Sequence, residues 1–220
     1  MRSHRELNMA EQRITSEWTG IRGRIGAWYL NSPLRRLSEV LFLGDCRSAL
    51  LSEVSRLIRG DEVVLDVGAG SGYFSLVIAK RLTNGKLICL DLSEEMLQRL
   101  ERKSEREGLK GRIQILKREA SSSGLENESV DLVVSNGVFH ELSSPEAVLA
   151  EMHRVLRPGG WVIVTDFRDT QIGKRIGAAH REPAHGPFSV NELKALLATV
   201  DLSNLKVHSV KHWVIGVGKK

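Results

Sequence analysis

Residues 63–75 read VVLDVGAGSGYFS. An apolar run broken by Asp66 leads straight into three glycines at alternate positions, Gly68, Gly70 and Gly72. Val63–Val67 has the composition of a buried β-strand. Glycines that follow it immediately let the backbone take positive φ and pass close to a ligand. The helix opening from such a turn aims its free N–H groups at whatever is bound there. One strand–turn–helix unit therefore sets both the expected fold and the expected place of the site.

Working outward, the same rhythm recurs. Ser71–Leu82 reads as the helix after the turn, and Asn84-Gly85 turns the chain into a second strand, Lys86–Asp91. Ser93 then stands as N-cap of a helix with Glu94 and Glu95 in its first turn and Met96, Leu97 and Leu100 on its apolar face, ended by Gly108. Further strands are expected near 112–116, Val130–Ser135 and Trp161–Asp166. A helix starts at Ser144-Pro145-Glu146 and is stopped by Arg157-Pro158-Gly159-Gly160. Ser189 caps a last helix, Val190–Val200, and β-like runs near 205–210 and 213–217 close the chain. Consecutive βα units imply parallel strands with right-handed crossovers, hence a three-layer α/β sandwich. The last two runs leave no room for a helix between them, so they form an antiparallel hairpin at one edge and the sheet is mixed.

The first 60 residues differ. They hold ten arginines, no lysine and six acids, most of the net charge of +5 of the 220-residue chain. Helical periodicity over 32–58 breaks near Gly44-Asp45, so residues 1–60 are expected to form a helical extension or cap on a domain spanning 61–220. Such a basic segment suits an anionic partner or is simply a solvated helix face. Hydrophobic content of 41% and charged content of 27% are ordinary for a soluble globular chain. Cys46 and Cys89 are too few for a disulfide framework, and no cluster of His and Cys has metal-ligand spacing. No apolar run reaches the ~18 residues of a membrane span. The N-terminus lacks the apolar core of a signal peptide, so the chain reads as cytoplasmic.

Asp91 ends the second strand 19 residues after Gly72, where a carboxylate can accept bonds from both ribose hydroxyls of a nucleoside. Dinucleotide sites carry G-x-G-x-x-G, whereas Gly68–Gly72 is G-x-G-x-G followed by Tyr73-Phe74. Asp66, two residues before the turn, would repel a pyrophosphate but would accept bonds from an ammonium group, directly or through water. S-adenosylmethionine has an α-amino group and no phosphate, and the acid favours it over NAD.

On these motifs the chain resembles the class I S-adenosylmethionine-dependent methyltransferases, particularly their small-molecule, type-11-like branch. VVLDVGAGSGYFS is similar to the family's first motif and LICLDLSEEML to its second. REASSSGLENESVDLVVSNGVFHEL resembles the third and fourth together, and EMHRVLRPGGWVIVTDF the helix-turn-strand that follows. The resemblance implies a Rossmann-like seven-stranded sheet of order 3-2-1-4-5-7-6 with strand seven antiparallel. It also implies a cofactor site of Asp66, Gly68, Ala69, Gly70, Gly72, Asp91, Leu92, Met96, Glu119, Ala120 and Asn136. In that site Asp91 takes the ribose, Met96 lies near the adenine, Glu119 meets the adenine amino group, and Ala120 offers its N–H. S-adenosyl-L-homocysteine would be the product.

Methyl transfer from a sulfonium is an in-line displacement, so the protein mainly orients the acceptor and, where needed, removes its proton. Candidates lie just past the fourth strand, in SNGVFHEL. His140 is expected to act as general base or acceptor-orienting group with Glu141 behind it. Asp166 and Arg168 are expected at the substrate, and no metal is expected. The stretch 168–187 is long for a loop and reads as a lid or an unrecognised short helix, and its Lys174, Arg175, His180, Arg181 and His185 suit an anionic acceptor. SNGVF lacks the Pro-Pro-aromatic run of base amino-methylating enzymes. Neither cysteine is placed as the nucleophile that cytosine C5 methylation requires, and two distant thiols are too few to hold arsenic. A small-molecule acceptor leads. The alternatives are an RNA or protein substrate docked on the arginine-rich N-terminus, or a non-catalytic nucleoside-binding protein of the same fold. Acceptor and oligomeric state are not encoded in any motif.

Overall fold

The computed structural model describes residues 41, 42, 44–177 and 186–220. The arginine-rich residues 1–40 and the expected lid residues His180, Arg181 and His185 lie outside the described residues.

The elements run α1 (Cys46–Leu57), β1 (Val63–Val67), α2 (Ser75–Ala79), β2 (Lys86–Asp91), α3 (Glu94–Arg106), β3 (Ile113–Lys117), β4 (Val130–Asn136), α4 (Pro145–Val155), β5 (Leu156–Phe167), α5 (Gln171–Gly177), α6 (Val190–Leu197), β6 (Ser203–Val210) and β7 (Trp213–Lys219). One seven-stranded sheet has the order β3-β2-β1-β4-β5-β7-β6. Strands β1 to β5 pair in parallel, whereas β7 is antiparallel to both β5 and β6. The mixed sheet and its edge hairpin thus follow the sequence pattern.

Each face of the sheet is closed by its own helices. Leu50, Leu51 and Val54 of α1, Leu76 and Ile78 of α2, and Leu100 of α3 pack with Val64, Leu87, Leu132 and Ile215 on one face. Val148, Leu149 and Met152 of α4 and Leu193 and Leu197 of α6 pack with Leu65, Val133, Val164 and Val214 on the other. Alternate strand residues feed opposite clusters, as period-2 geometry requires. Right-handed crossovers put α2 and α3 on one side and α4 on the other, so strand order reverses between β1 and β4. Ligands of such sheets bind at the carboxyl ends of the strands at that reversal.

Two boundaries depart from the sequence reading. The helix after the glycine turn covers Ser75–Ala79 rather than 71–82, because Gly72 sits at φ +85°, outside the helical region, and the helix starts only beyond it. Arg157–Gly160 does end α4, but these residues already belong to the long β5. They loop out between the pairs Val130↔Leu156 and Leu132↔Trp161, with Gly159 at φ +81°. Within 168–187, Gln171–Gly177 is the short helix α5.

Candidate functional site

The glycine turn is fastened to its neighbours at nearly every residue. Gly68 N–H and Ala69 N–H both donate to the Leu90 carbonyl, at 2.8 and 3.0 Å, and Gly72 N–H donates to the Ala69 carbonyl. Gly70 N–H donates to Asp91 Oδ2 at 2.8 Å, and Lys103 Nζ reaches from α3 to the Ser71 carbonyl at 2.9 Å. The glycines serve different ends. A Cβ on Gly68 would stand 2.2 Å from Val138 Cγ2, and one on Gly72 3.0 Å from Leu100 Cγ. At Gly70 (φ +52°) nothing among the described residues lies within 4 Å of that position.

Asp91 completes the turn. Its Oδ1 accepts from Ser93 N–H at 2.8 Å, so each carboxylate oxygen takes one backbone donor and keeps capacity for another. Burial raises its pKa above the ordinary carboxylate range; the Ser93 and Gly70 donors oppose this, and nearby Glu141 adds to it. Leu92 follows at the same corner, and Met96 is buried in the first turn of α3, its N–H capped by Ser93 Oγ. Past β3, Glu119 accepts from Ser121 Oγ at 2.9 Å, and Ala120 packs against the second core cluster.

Asp66 lies in the sheet, 3% exposed, beside Cys89 of β2 and under Ser75, whose hydroxyl donates to Oδ2 at 2.6 Å. Burial pushes its pKa up to about 6, against the Ser75 hydrogen bond and with a smaller contribution from Asp91. Both cysteines are free and buried. At the end of β4, Asn136 Nδ2 donates to Thr165 Oγ1 at 2.6 Å and approaches Cys46 Sγ at 3.6 Å, while its buried Oδ1 has no partner among the described residues. Open space at Gly70, spare acceptor capacity on Asp91 and the orphaned Asn136 oxygen fit a ligand that brings a ribose diol and an ammonium group.

His140 and Asp166 form one buried pair at the ends of β4 and β5, 1% and 0% exposed. Asp166 Oδ1 accepts from His140 Nδ1 at 2.8 Å and Phe167 N–H at 2.6 Å, and Oδ2 accepts from His140 N–H at 3.1 Å. Glu141 Oε1 stands 3.5 Å from His140 Nε2. Burial alone would lower the imidazole pKa, but the Asp166 carboxylate, with Glu141 adding to it, outweighs burial and raises it to about 10. Arg168 turns to the β6–β7 turn, its Nη1 donating to the Lys211 carbonyl at 3.1 Å. The Asp166 carboxylate and the Arg168 guanidinium thus both have partners within the protein. A separate depression of about 470 Å³ lies at the opposite ends of the strands, between Arg59, Asp131, Arg157 and Trp161. It carries none of these groups.

Sequence reasoning missed Arg47, Ser75 and Thr165, which meet the site only through folding. The one available signal was the position of α1 just ahead of β1, which brings its first turn to the carboxyl ends of the strands. No group of three or more His, Cys, Asp or Glu side chains among the described residues could hold a metal ion.

A sheet of this order, with a glycine turn after β1 and an acid ending β2, defines a nucleoside-binding domain of the class I methyltransferase type. Residues 65–164 match the methyltransferase domain family. That segment therefore resembles the methyltransferase domain of the class I S-adenosylmethionine-dependent enzymes, a likeness that implies S-adenosylmethionine as methyl donor. Among curated relatives, a malonyl-[acyl-carrier protein] O-methyltransferase of Methylococcus capsulatus is 32% identical over 57% of this chain and 45% of its own length. A ubiquinone/menaquinone biosynthesis C-methyltransferase of Dinoroseobacter shibae is 34% identical over 50% of this chain and 44% of its own length. The chain thus spans less than half of either relative. A solved S-adenosylmethionine-dependent methyltransferase from Aquifex aeolicus superposes with a TM-score of 0.70 at 26% identity, covering 88% of this chain and 96% of that one.

Proposed function

We propose that this chain transfers the methyl group of S-adenosylmethionine to a small-molecule acceptor bound over the ends of β4 and β5. The observation that carries the reading is the glycine turn clasped by Asp91, with open space at Gly70, beside the His140–Asp166 pair. Relatives named for O-methylation of a malonyl carrier and C-methylation in quinone biosynthesis support an acceptor group of metabolite size.

When bound, the cofactor supplies an already activated methyl group, so the residues of the chain have mainly to bind and orient. Asp91 takes the ribose hydroxyls on its spare lone pairs, Met96 and Ala120 flank the base, and Glu119 meets its amino group. Asp66 and Asn136 Oδ1 receive the ammonium end, which points the sulfonium toward β4. Asp166 holds His140 by Nδ1 and by its backbone N–H, which fixes the ring against rotation. With its pKa raised to about 10, His140 is an imidazolium at neutral pH, so it orients the acceptor as a hydrogen-bond donor rather than removing its proton. In this reading residues 61–220 carry the chemistry, and α1, just ahead of them, borders the cleft.

Calorimetry with S-adenosylhomocysteine and NADH tests the cofactor, and tighter binding of NADH would sink the reading. Labelled S-adenosylmethionine incubated with a metabolite pool tests the acceptor class, and a label appearing only in RNA or protein would replace the small molecule. Substituting His140→Gln should reduce methyl transfer at least about 10-fold while sparing cofactor binding. Unchanged turnover would remove His140 from the acceptor site.

A further inference from the structure

Three large apolar side chains stay exposed among the described residues, Phe42 (64%), Leu41 (54%) and Ile172 (37%). All three flank one feature, the β6–β7 turn. Lys211, in that turn, donates from Nζ to the Leu41 carbonyl at 3.0 Å, and a Cβ on Gly44 would stand 2.8 Å from Lys211 Cβ. On the other flank, His212 Nδ1 meets Thr170 Oγ1 at 2.9 Å, and the His212 carbonyl accepts from Arg168 N–H, which seats the start of α5. The packing of α5 holds Ile172 outward. Its neighbour Gly173 is buried, and a Cβ there would collide with the Arg168 carbonyl, so the helix presses its glycine inward and leaves its isoleucine outside. A helix packed only for stability does the reverse.

Cations surround these apolar groups. Lys174 and Arg175 follow Ile172 on α5, Lys211 lies between the two apolar segments, and all three are exposed. Two acids lie close by: Asp169, which is exposed, and Glu192, whose carboxylate is engaged in the capping box of α6. Trp213 pairs with Phe167, so the turn stands at the same end of the sheet as Asp91, Asn136 and Asp166. An aromatic ring and two aliphatic side chains held in water, with long basic stems around them, match the boundary between hydrocarbon and lipid headgroups. There the apolar tips enter the acyl region while the cations reach back to the phosphates. A small dissolved anion would engage the cations and leave the apolar groups in water.

We propose that the β6–β7 turn, with Leu41 and Phe42 on one flank and α5 on the other, docks the protein on an anionic lipid surface. Docking there sets the ends of β4 and β5 toward the lipid, which favours an acceptor with an apolar body dissolved in the bilayer. That last step rests on the methyl-transfer reading, whereas the docking does not.

Co-sedimentation of the full chain with vesicles tests the docking without cofactor or acceptor. Mixed phosphatidylglycerol–phosphatidylcholine vesicles should carry the protein down, with affinity about 10-fold or more above that for pure phosphatidylcholine, and about 0.5 M NaCl should release it. The double variant Phe42→Ser, Ile172→Ser should bind about 10-fold or more weakly, because it has less apolar surface to withdraw from water. Lys174→Gln and Arg175→Gln should each cost about fivefold. All of these variants should keep the wild-type unfolding temperature and the wild-type affinity for S-adenosylhomocysteine, since they touch neither the core nor the cofactor end. No sedimentation with the mixed vesicles would overturn the docking and leave the methyl-transfer reading standing. Undiminished binding by the double variant would overturn it too, by assigning lipid contact to another segment, such as the arginine-rich residues 1–40. Binding to poly-L-glutamate with none to vesicles would give the surface to an acidic protein instead.

Discussion

Asp91 Oδ2 accepts the backbone N–H of Gly70 at 2.8 Å, so the acid that ends β2 also shapes the turn that follows β1. Ser93 N–H occupies the other oxygen at 2.8 Å. The carboxylate proposed to take the ribose is therefore held in place by the chain itself, and the turn cannot open without releasing it. Asp91→Ala leaves two backbone donors without their partner and should destabilise the fold by about 1–3 kcal/mol. Urea denaturation measures that loss, and calorimetry should show cofactor binding lost with it. A variant that binds as wild type does would separate Asp91 from the ribose.

The three glycines respond differently to a single methyl group. Gly70→Ala places its Cβ in open space at φ +52° and should cost only the left-handed strain of about 1–2 kcal/mol. The new methyl group fills the ligand's approach, so affinity should drop far more than stability. Gly68→Ala must move Val138, whose Cγ2 would stand 2.2 Å away, and adds overpacking of about 1–3 kcal/mol to the same strain. Thermal unfolding should rank Gly68→Ala well below Gly70→Ala, and the reverse order would contradict the geometry of the turn.

Those contrasts mark what the sequence could and could not disclose. The strands were legible because VVLDV, KLICLD and VDLVVSN are continuous apolar runs bounded by turn residues, as a sheet buried on both faces demands. The residues expected at the cofactor end could be nominated from sequence because they lie within short stretches beside strand ends. The helix after the turn was misjudged because apolar spacing carries no information on the φ of Gly72. Pairings across distance were invisible. Asp166 meets His140 across 26 residues of chain. Glu151 accepts from Ser123 N–H and Oγ at 2.9 and 2.6 Å across 28, tying the polar loop after β3 to α4. Arg47 carries no local pattern at all, and only the packing of α1 on the sheet brings it to the cleft.

Asp66 gives a pH signature with a definite sign. Its folded pKa, about 6, lies above the unfolded value of 3.8, so the fold prefers the protonated acid. The stability it supports is complete below about pH 3.8 and is lost as pH rises through 6. Asp66→Asn, which can still accept from Ser75, should therefore raise stability at pH 8 by on the order of 2 kcal/mol, with the gain fading toward pH 4. Cofactor affinity should move the other way. The wild type should bind more tightly as pH rises through 6 and the carboxylate forms, and the Asn variant should bind weakly throughout. Parallel stability curves for the two proteins would refute the buried-acid account.

The His140–Asp166 pair carries the opposite charge type and a different window. His140 is raised from 6.5 to about 10, so the stability it contributes is fully present below pH 6.5 and is lost as pH climbs through 10. Asp166→Asn removes the countercharge and one acceptor from a site where both partners are almost fully buried. Breaking such a pair from one side costs about 3–5 kcal/mol, here as the loss of the charge-assisted bond, since burial then drives the imidazole to its neutral form. Urea unfolding at pH 7 should show that deficit, and the gap should narrow as pH approaches 10, where the wild-type imidazole also goes neutral. Methyl transfer by the variant should fall as well, since the ring loses the group that fixes its orientation. A deficit that stays constant from pH 7 to 10 would mean that Asp166 holds the β4–β5 corner through the N–H groups of His140 and Phe167 alone. The charge on the imidazole would then play no part in the fold.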